Sequence, residues 1–216
     1  MKPAIQIETQ LDWFEHHGID RFDLAVQKPS GAWMQQHKCL ARARLAQLLP
    51  WCRYENARGA NVYVRAHRLR AWPLVFLDDV ATVDAQHIAR AHPALVVETS
   101  PDRCHVWISW SEDLDEGQRL ACQRHLAAQP GQNGRLADQG SVSGEHWGRL
   151  AGFRNRKPSR DCWVNLLRAS RGLPPYRISD IRLTAEASAS FSPTSGGAWQ
   201  SPPQRALAIW RRALRS

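Results

Sequence analysis

Two consecutive acids, Asp78 and Asp79, end the apolar run Leu74-Val75-Phe76-Leu77. Carboxylate oxygens are what a hard divalent cation such as Mg²⁺ binds, and paired metals activate the attacking and leaving oxygens of phosphoryl transfer. Acids of this kind also simply end strands and open turns. Neighbours on a regular strand point to opposite faces, so both carboxylates reach one ion only if the strand breaks or bulges at Asp79. A second set of reactive types lies in Glu145-His-Trp-Gly-Arg-Leu-Ala-Gly-Phe-Arg-Asn-Arg-Lys157. Arg149, Arg154, Arg156 and Lys157 can pair with phosphates, Asn155 both donates and accepts, and the glycines let a backbone approach a ligand. Leu150, Ala151 and Phe153 among them imply a structured loop rather than a solvated basic turn.

The elements that must hold these residues follow from periodicity. Ile7, Leu11 and Phe14 recur at helical spacing up to Gly18. Residues 21–26 alternate like a strand, Lys28-Pro-Ser-Gly31 signals a turn, and 32–37 returns as a hairpin arm. Residues 40–49 have helical spacing and should stop at Pro50. Strands follow at 61–65 and at the central run, whose lack of alternation suits a strand buried on both faces. A short helix near 84–91 leads to strand 94–99, a turn at 100–103 and strand 104–110. On that last strand Cys104, Val106, Ile108 and Trp110 share one face, and His105, Trp107 and Ser109 the other. A helix at 115–128, a loop at 130–134 and a final strand at 162–168 complete the core.

The chain has 216 residues, which fits one substantial domain with a small appendage. Lys and Arg total 29 against 20 Asp and Glu, a net +9. That excess favours a polyanionic partner, nucleic acid first and an anionic membrane second. No apolar run approaches the ~20 residues of a spanning helix and the N-terminus lacks a signal-peptide core, so the expected location is cytoplasmic, without membrane attachment. The five cysteines, Cys39, Cys52, Cys104, Cys122 and Cys162, are scattered without metal-ligand spacing and read as reduced thiols. From Thr184 the composition turns to Ala, Ser, Gly and Pro. This divides the chain into a core at 1–183, a linker at 184–203 and a short basic helix at 204–216.

Five ordered blocks, DRFDLAV (20–26), NVYVR (61–65), VFLDDV (75–80), PALVVETSP (93–101) and HWGRLAGFRNRK (146–157), resemble the plasmid RepB-type replication primases. These are members of the archaeo-eukaryotic primase and primase-polymerase superfamily. The resemblance implies an α+β fold with a central, mostly antiparallel sheet flanked by helices. It also implies a DNA primase, a metal-dependent nucleotidyltransferase that starts short primers on single-stranded DNA from nucleoside triphosphates. By that resemblance Asp78, Asp79 and Asp138 are the catalytic acids and hold Mg²⁺ or Mn²⁺, with Glu145 as the competitor for the third place. His146, Arg149, Asn155 and Lys157 handle nucleotide phosphates, and Arg154 and Arg156 contact DNA. Thr99-Ser100 followed by His105 resembles the superfamily's Ser-x-His motif, which adds His105 to the nucleotide set. His105 could equally be a histidine on a half-exposed sheet face beside Trp107.

Mechanistically this means attack of a 3′-hydroxyl on the α-phosphate of the next nucleotide in plasmid or mobile-element replication, with a replicative helicase among the partners. The rival is a non-catalytic single-stranded DNA-binding module descended from a primase. Three acids weigh against it, because acids repel the DNA backbone and a pure binder gains by losing them. A mobilisation relaxase, which nicks DNA through tyrosine and a histidine cluster, has little support from Tyr54, Tyr63 and Tyr176 without a His-x-His strand.

Overall fold

The computed structural model describes residues 1–29, 31, 34–143 and 146–177. The expected linker at 184–203, the helix at 204–216 and Glu145 lie outside the described residues. In chain order the elements are α1 (Pro3–His16), β1 (Phe22–Gln27), β2 (Met34–Leu40), α2 (Arg42–Ala57), β3 (Asn61–Ala66), β4 (Trp72–Ala81), α3 (Thr82–Ala91), β5 (Ala94–Ser100), β6 (Arg103–Leu114), α4 (Glu116–Ala127), β7 (Gly148–Arg149), β8 (Arg154–Asn155), β9 (Cys162–Trp163) and β10 (Asn165–Ala169). None of the described helices is long and apolar enough to cross a membrane.

The fold is α+β and its strands pair antiparallel, as the sequence implies. The sheet, however, is divided in two, with orders β2-β1-β3-β7 and β10-β5-β6-β4, beside a two-stranded β8–β9 ladder. Leu24, Val26, Val62 and Val64 of the first sheet pack with Leu74, Leu95, Val97 and Trp107 of the second. Ile7, Leu11 and Phe14 of α1 and Leu45, Leu49 and Cys52 of α2 join the same core. The second sheet is covered on its other face as well, where Val75, Leu77, Val80, Val96, Val106 and Ile108 meet Ala85 and Ala89 of α3 and Cys122 and Leu126 of α4. Burial on both faces is why β4 and β5 read as unbroken apolar runs. The phase expected for β6 is observed, with Val106 and Ile108 in the outer core and Trp107 in the inner one.

Pro50 does not end its helix. It lies inside α2, which runs on to Ala57. Beyond the proline, Cys52 and Asn56 are buried, and Asn56 bonds Ala60 O at 2.7 Å and Arg154 O at 2.8 Å. Those contacts offset the lost backbone bond, a cost of about 3 kcal/mol. The strand expected at 162–168 is likewise split. Residues 162–163 pair with β8 and 165–169 with β5, about a buried Val164. The last long helix, α4, is fastened by a capping box between Asp115 and Gln118.

Past the end of α1, His17 packs on Trp13 with ring centroids 4.3 Å apart, and its Nδ1 lies 2.9 Å from Ser109 Oγ. Its Nε2 is buried without a partner. Burial, with His16 and Arg171 nearby, lowers its pKa from 6.5 to about 4. The unfolded chain therefore takes up a proton below pH 6.5 that the folded chain refuses until pH about 4. We predict that the thermal midpoint falls as pH drops through that window and that His17→Gln flattens the dependence. Parallel curves for the two proteins would contradict it.

Candidate active site

The strand bulge that two adjacent acids require is present. Along β4 the register passes from Leu77 opposite Val106 to Val80 opposite Cys104, three steps against two. Leu77 and Val80 consequently both point into the outer core, and Asp78 and Asp79 lie between them at the strand edge. Asp79 takes up the extra residue with φ 57°, a left-handed conformation that Asp tolerates better than most residues. Its amide donates to Asp78 Oδ1 at 2.8 Å.

Asp138 comes to Asp78 through the loop after α4. Its amide donates to Asp78 O at 3.0 Å, and its carboxylate caps the 3-10 turn Gln139–Ser141 by accepting from Gly140 N at 2.9 Å. Ser141 Oγ lies 2.7 Å from Asp138 Oδ2 and 3.1 Å from Asp78 Oδ2. One hydroxyl proton cannot serve both acceptors at once, so two carboxylates converge on a point short of positive charge. Asp79 turns another way, with Oδ1 3.8 Å from Arg103 Nε. Among the described residues no three acidic, histidine or cysteine side chains already stand in coordinating positions. Asp78 and Asp138 do supply the one or two carboxylates by which Mg²⁺ is usually held when substrate phosphates complete its shell.

His105 is buried with both ring nitrogens engaged. Nδ1 accepts the backbone N–H of Arg149 at 3.0 Å, and Nε2 lies 2.9 Å from Asp78 Oδ1. An acceptor at Nδ1 places the proton on Nε2, which donates to the carboxylate, so the neutral ring satisfies both bonds. Burial lowers the pKa of this histidine and keeps it in that state. The nucleotide-binding role expected for His105 is corrected here: no ring nitrogen is left to donate to a triphosphate, and the ring positions Asp78 and Arg149 instead. For Asp78, burial alone would raise the pKa, but the His105 bond, the nearby His146 and Ser141 bring it well below the ordinary carboxylate range.

Arg149 faces the acids. Its side chain is 3% exposed, bonded to Asn61 Oδ1 at 2.7 Å and Tyr63 OH at 3.4 Å and lying 5.0 Å over the Tyr63 ring. No carboxylate stands within ion-pair distance of it among the described residues, and burial lowers its pKa. A guanidinium buried among neutral partners calls for an anion. Lys157, its pKa lowered by partial burial and then by Arg149, and Arg160 line the same cleft of about 710 Å³. So do Asp78, Asp79, Asp138, His105, His146 and Asn155. His146, at the rim, stacks on Phe76 and sits 3.7 Å from Asp78 Oδ2.

Three expectations meet a different arrangement. Arg154 and Arg156 do not line the cleft. Both bond Asp161, with Arg154 Nε and Arg156 NH1 each 3.0 Å from Oδ1, so their charges are already shared with an acid. Asn155 is buried and spends both ends of its amide on backbone, donating to Thr99 O at 2.6 Å and accepting from Lys157 N at 3.1 Å. The glycines of the segment admit protein rather than ligand. A Cβ on Gly148 would stand 1.9 Å from the Trp107 ring, and one on Gly152, at φ 78°, 2.4 Å from Pro3 O.

Ser141, Tyr63, Arg160 and Trp147 line the cleft without a sequence signal of their own. Gln10 is another such residue: from α1 it accepts from Ala151 N at 2.8 Å and donates to Arg149 O at 3.3 Å, holding the loop after β7. The buried glutamines Gln6 and Gln10, one turn apart on an otherwise apolar face, were the available clue.

Two antiparallel sheets around a cleft with acids on a bulged strand define the fold of primases and primase-polymerases. The AEP domain of the cyanophage S-2L primase-polymerase shares it at a TM-score of 0.55 and 13% identity, over 80% of this chain and 94% of that one. The RepB DNA-primase N-terminal domain family matches residues 21–182, and the chain belongs to that family. The catalytic domain of primase RepB′ in complex with initiator DNA matches at a TM-score of 0.69 and 30% identity, covering 86% of this chain and 94% of that one. Mobilization protein A of Escherichia coli is 34% identical over 163 residues, 72% of this chain. The chain spans 22% of that protein's length.

His105→Ala leaves the Arg149 amide without its acceptor, and we predict a loss of about 1–3 kcal/mol in unfolding free energy. The carboxyl of Asp78, followed by carbon NMR, should titrate closer to the ordinary range in the variant. An unchanged Asp78 titration would contradict the positioning role.

Proposed function

We propose that this RepB-like primase domain makes short primers on single-stranded DNA by metal-dependent nucleotidyl transfer, in plasmid replication or mobilisation. The observation that carries the reading is one cleft in which Asp78 and Asp138 converge across His105 from a buried Arg149 that has no acid of its own. In the proposed reaction a 3′-hydroxyl oxygen bonds to the α-phosphorus of the next nucleotide and pyrophosphate departs. Arg149, Lys157 and Arg160 bind the triphosphate, Arg149 by a planar fork suited to two phosphate oxygens. Asp78 and Asp138, with Asp79 at the rim, would hold Mg²⁺ or Mn²⁺, whose chemistry is to activate the attacking oxygen and offset charge on the phosphates. His146 reaches the same space from the stack on Phe76 and is the imidazole free to meet substrate where His105 is not. The DNA in the RepB′ complex supports a nucleic-acid substrate here.

Asp78→Asn and Asp138→Asn should each abolish primer synthesis on single-stranded DNA and weaken Mn²⁺ binding measured by calorimetry. Arg149→Gln should instead raise the apparent KM for nucleotide about ten- to a hundredfold, a charge-assisted bond of about 1.5–3 kcal/mol, with Mn²⁺ binding kept. Full synthesis by the two acid variants would leave a DNA-binding module without chemistry.

A further inference from the structure

Behind the rim of the cleft lies a second hollow. It is floored by Trp72, Leu74, Phe76 and Trp107 and edged by Arg65, Arg68 and Arg119. Ser143 and His146 line both spaces. Trp147, which lines the cleft, lies with its ring 4.0 Å from the guanidinium carbon of Arg65. The two spaces are therefore neighbours across the His146-Trp147 step.

Their sizes separate their uses. The hollow encloses about 50 Å³ against about 710 Å³ in the cleft. A volume of one or two waters at ~30 Å³ each holds no nucleotide, so a ligand there lies across the surface and touches it with a base edge or one phosphate. An apolar aromatic floor under guanidinium groups is the chemistry that takes single-stranded nucleic acid, where bases settle on rings and phosphates on cations.

The arginines are not spent in the same way. Arg65 is fixed from behind, its Nε 3.1 Å from Asp23 Oδ2. Asp23 is wholly buried and also takes His67 Nδ1 at 2.7 Å and the amide of Cys39 at 3.0 Å. Arg119 rises from the first turns of α4, and its guanidinium makes no hydrogen bond or ion pair among the described residues. Burial lowers its pKa, with Glu116 and Asp115 acting against the shift. A partly buried cation without a partner, beside one locked in place, forms a built edge rather than a scatter of surface charge.

From this we infer that the single-stranded template runs over the hollow, past Arg65, Arg68 and Arg119, and enters the cleft across the His146-Trp147 step. The inference rests on the primase reading for the word template, but the binding surface stands without it. It also places the strand away from Arg154 and Arg156, which Asp161 already partly neutralises.

The test is fluorescence anisotropy of the whole chain with a labelled deoxythymidine 16-mer, without nucleotide or metal, over a range of salt. Arg68→Gln with Arg119→Gln should weaken binding about tenfold or more at low salt and reduce the slope of log affinity against log salt by roughly 1. Arg154→Gln with Arg156→Gln should leave that slope near its original value. Binding of a labelled triphosphate without DNA should be unaffected by the Arg68 and Arg119 pair. Circular dichroism confirms that each variant is folded. If the slope is unchanged in the first pair and reduced in the second, the strand runs over the β8–β9 ladder and the inference falls. If triphosphate binding is lost with the first pair, the hollow belongs to the nucleotide and the inference also falls. A wild-type chain that binds the 16-mer through Arg68 and Arg119 yet makes no primers overturns the primase reading alone.

Discussion

One imidazole joins the two halves of the site. His105, on the second sheet, accepts the backbone N–H of Arg149 on the first and donates to Asp78 at the end of β4. The bond pair fixes how far the acids stand from the buried guanidinium, and it works only with a neutral ring. A protonated His105 would direct a second N–H at the Arg149 amide. Its burial thus serves geometry, and the charges that meet substrate are Asp78, Asp138, Arg149 and Lys157.

The surroundings are arranged to keep that imidazole in place. Trp107, two residues along β6, lies under Gly148 so closely that no Cβ fits between them, which brings β7 within reach of His105. Gln10 holds the chain just after Arg149 by its backbone. The bulge at Asp79 lets Asp78 and Asp79 share an edge while Leu77 and Val80 stay in the outer core. Each device uses backbone or neutral groups. The formal charges are left for the cleft, where the low exposure of Arg149 and the convergence of two carboxylates make both ends dependent on a bound counter-ion.

Much of this was legible in the sequence because it follows local rules. Alternation along 104–110 put His105 and Trp107 on one face, and the pleat made a bulge at Asp79 the condition for paired acids. The unbroken run before Asp78 announced a strand covered on both sides. Local rules also misled. Pro50 looks like a stop, yet the buried positions beyond it, Cys52 and Asn56, outweigh one lost bond. Gly148 and Gly152 look like ligand glycines, but the atoms they accommodate, the Trp107 ring and Pro3 O, are far away in sequence. The division into two sheets and the reach of Gln10 to Arg149 are long-range pairings that no window of residues contains. Asp161, five and seven residues beyond Arg156 and Arg154, was within reach of a sequence reading. It was hidden because an arginine run reads as a phosphate surface unless its acid is sought.

The central claim is that the cleft holds a nucleotide between the Asp78–Asp138 pair and Arg149, with His105 as spacer. A crystal of the protein grown with Mn²⁺ and a non-hydrolysable nucleoside triphosphate tests it most directly. The account predicts an anomalous peak bounded by Asp78 and Asp138, triphosphate oxygens on the Arg149 guanidinium, and His105 still bonded to Asp78 and the Arg149 amide. A triphosphate bonded to His105, with Arg149 left on Asn61 and Tyr63 alone, would contradict it.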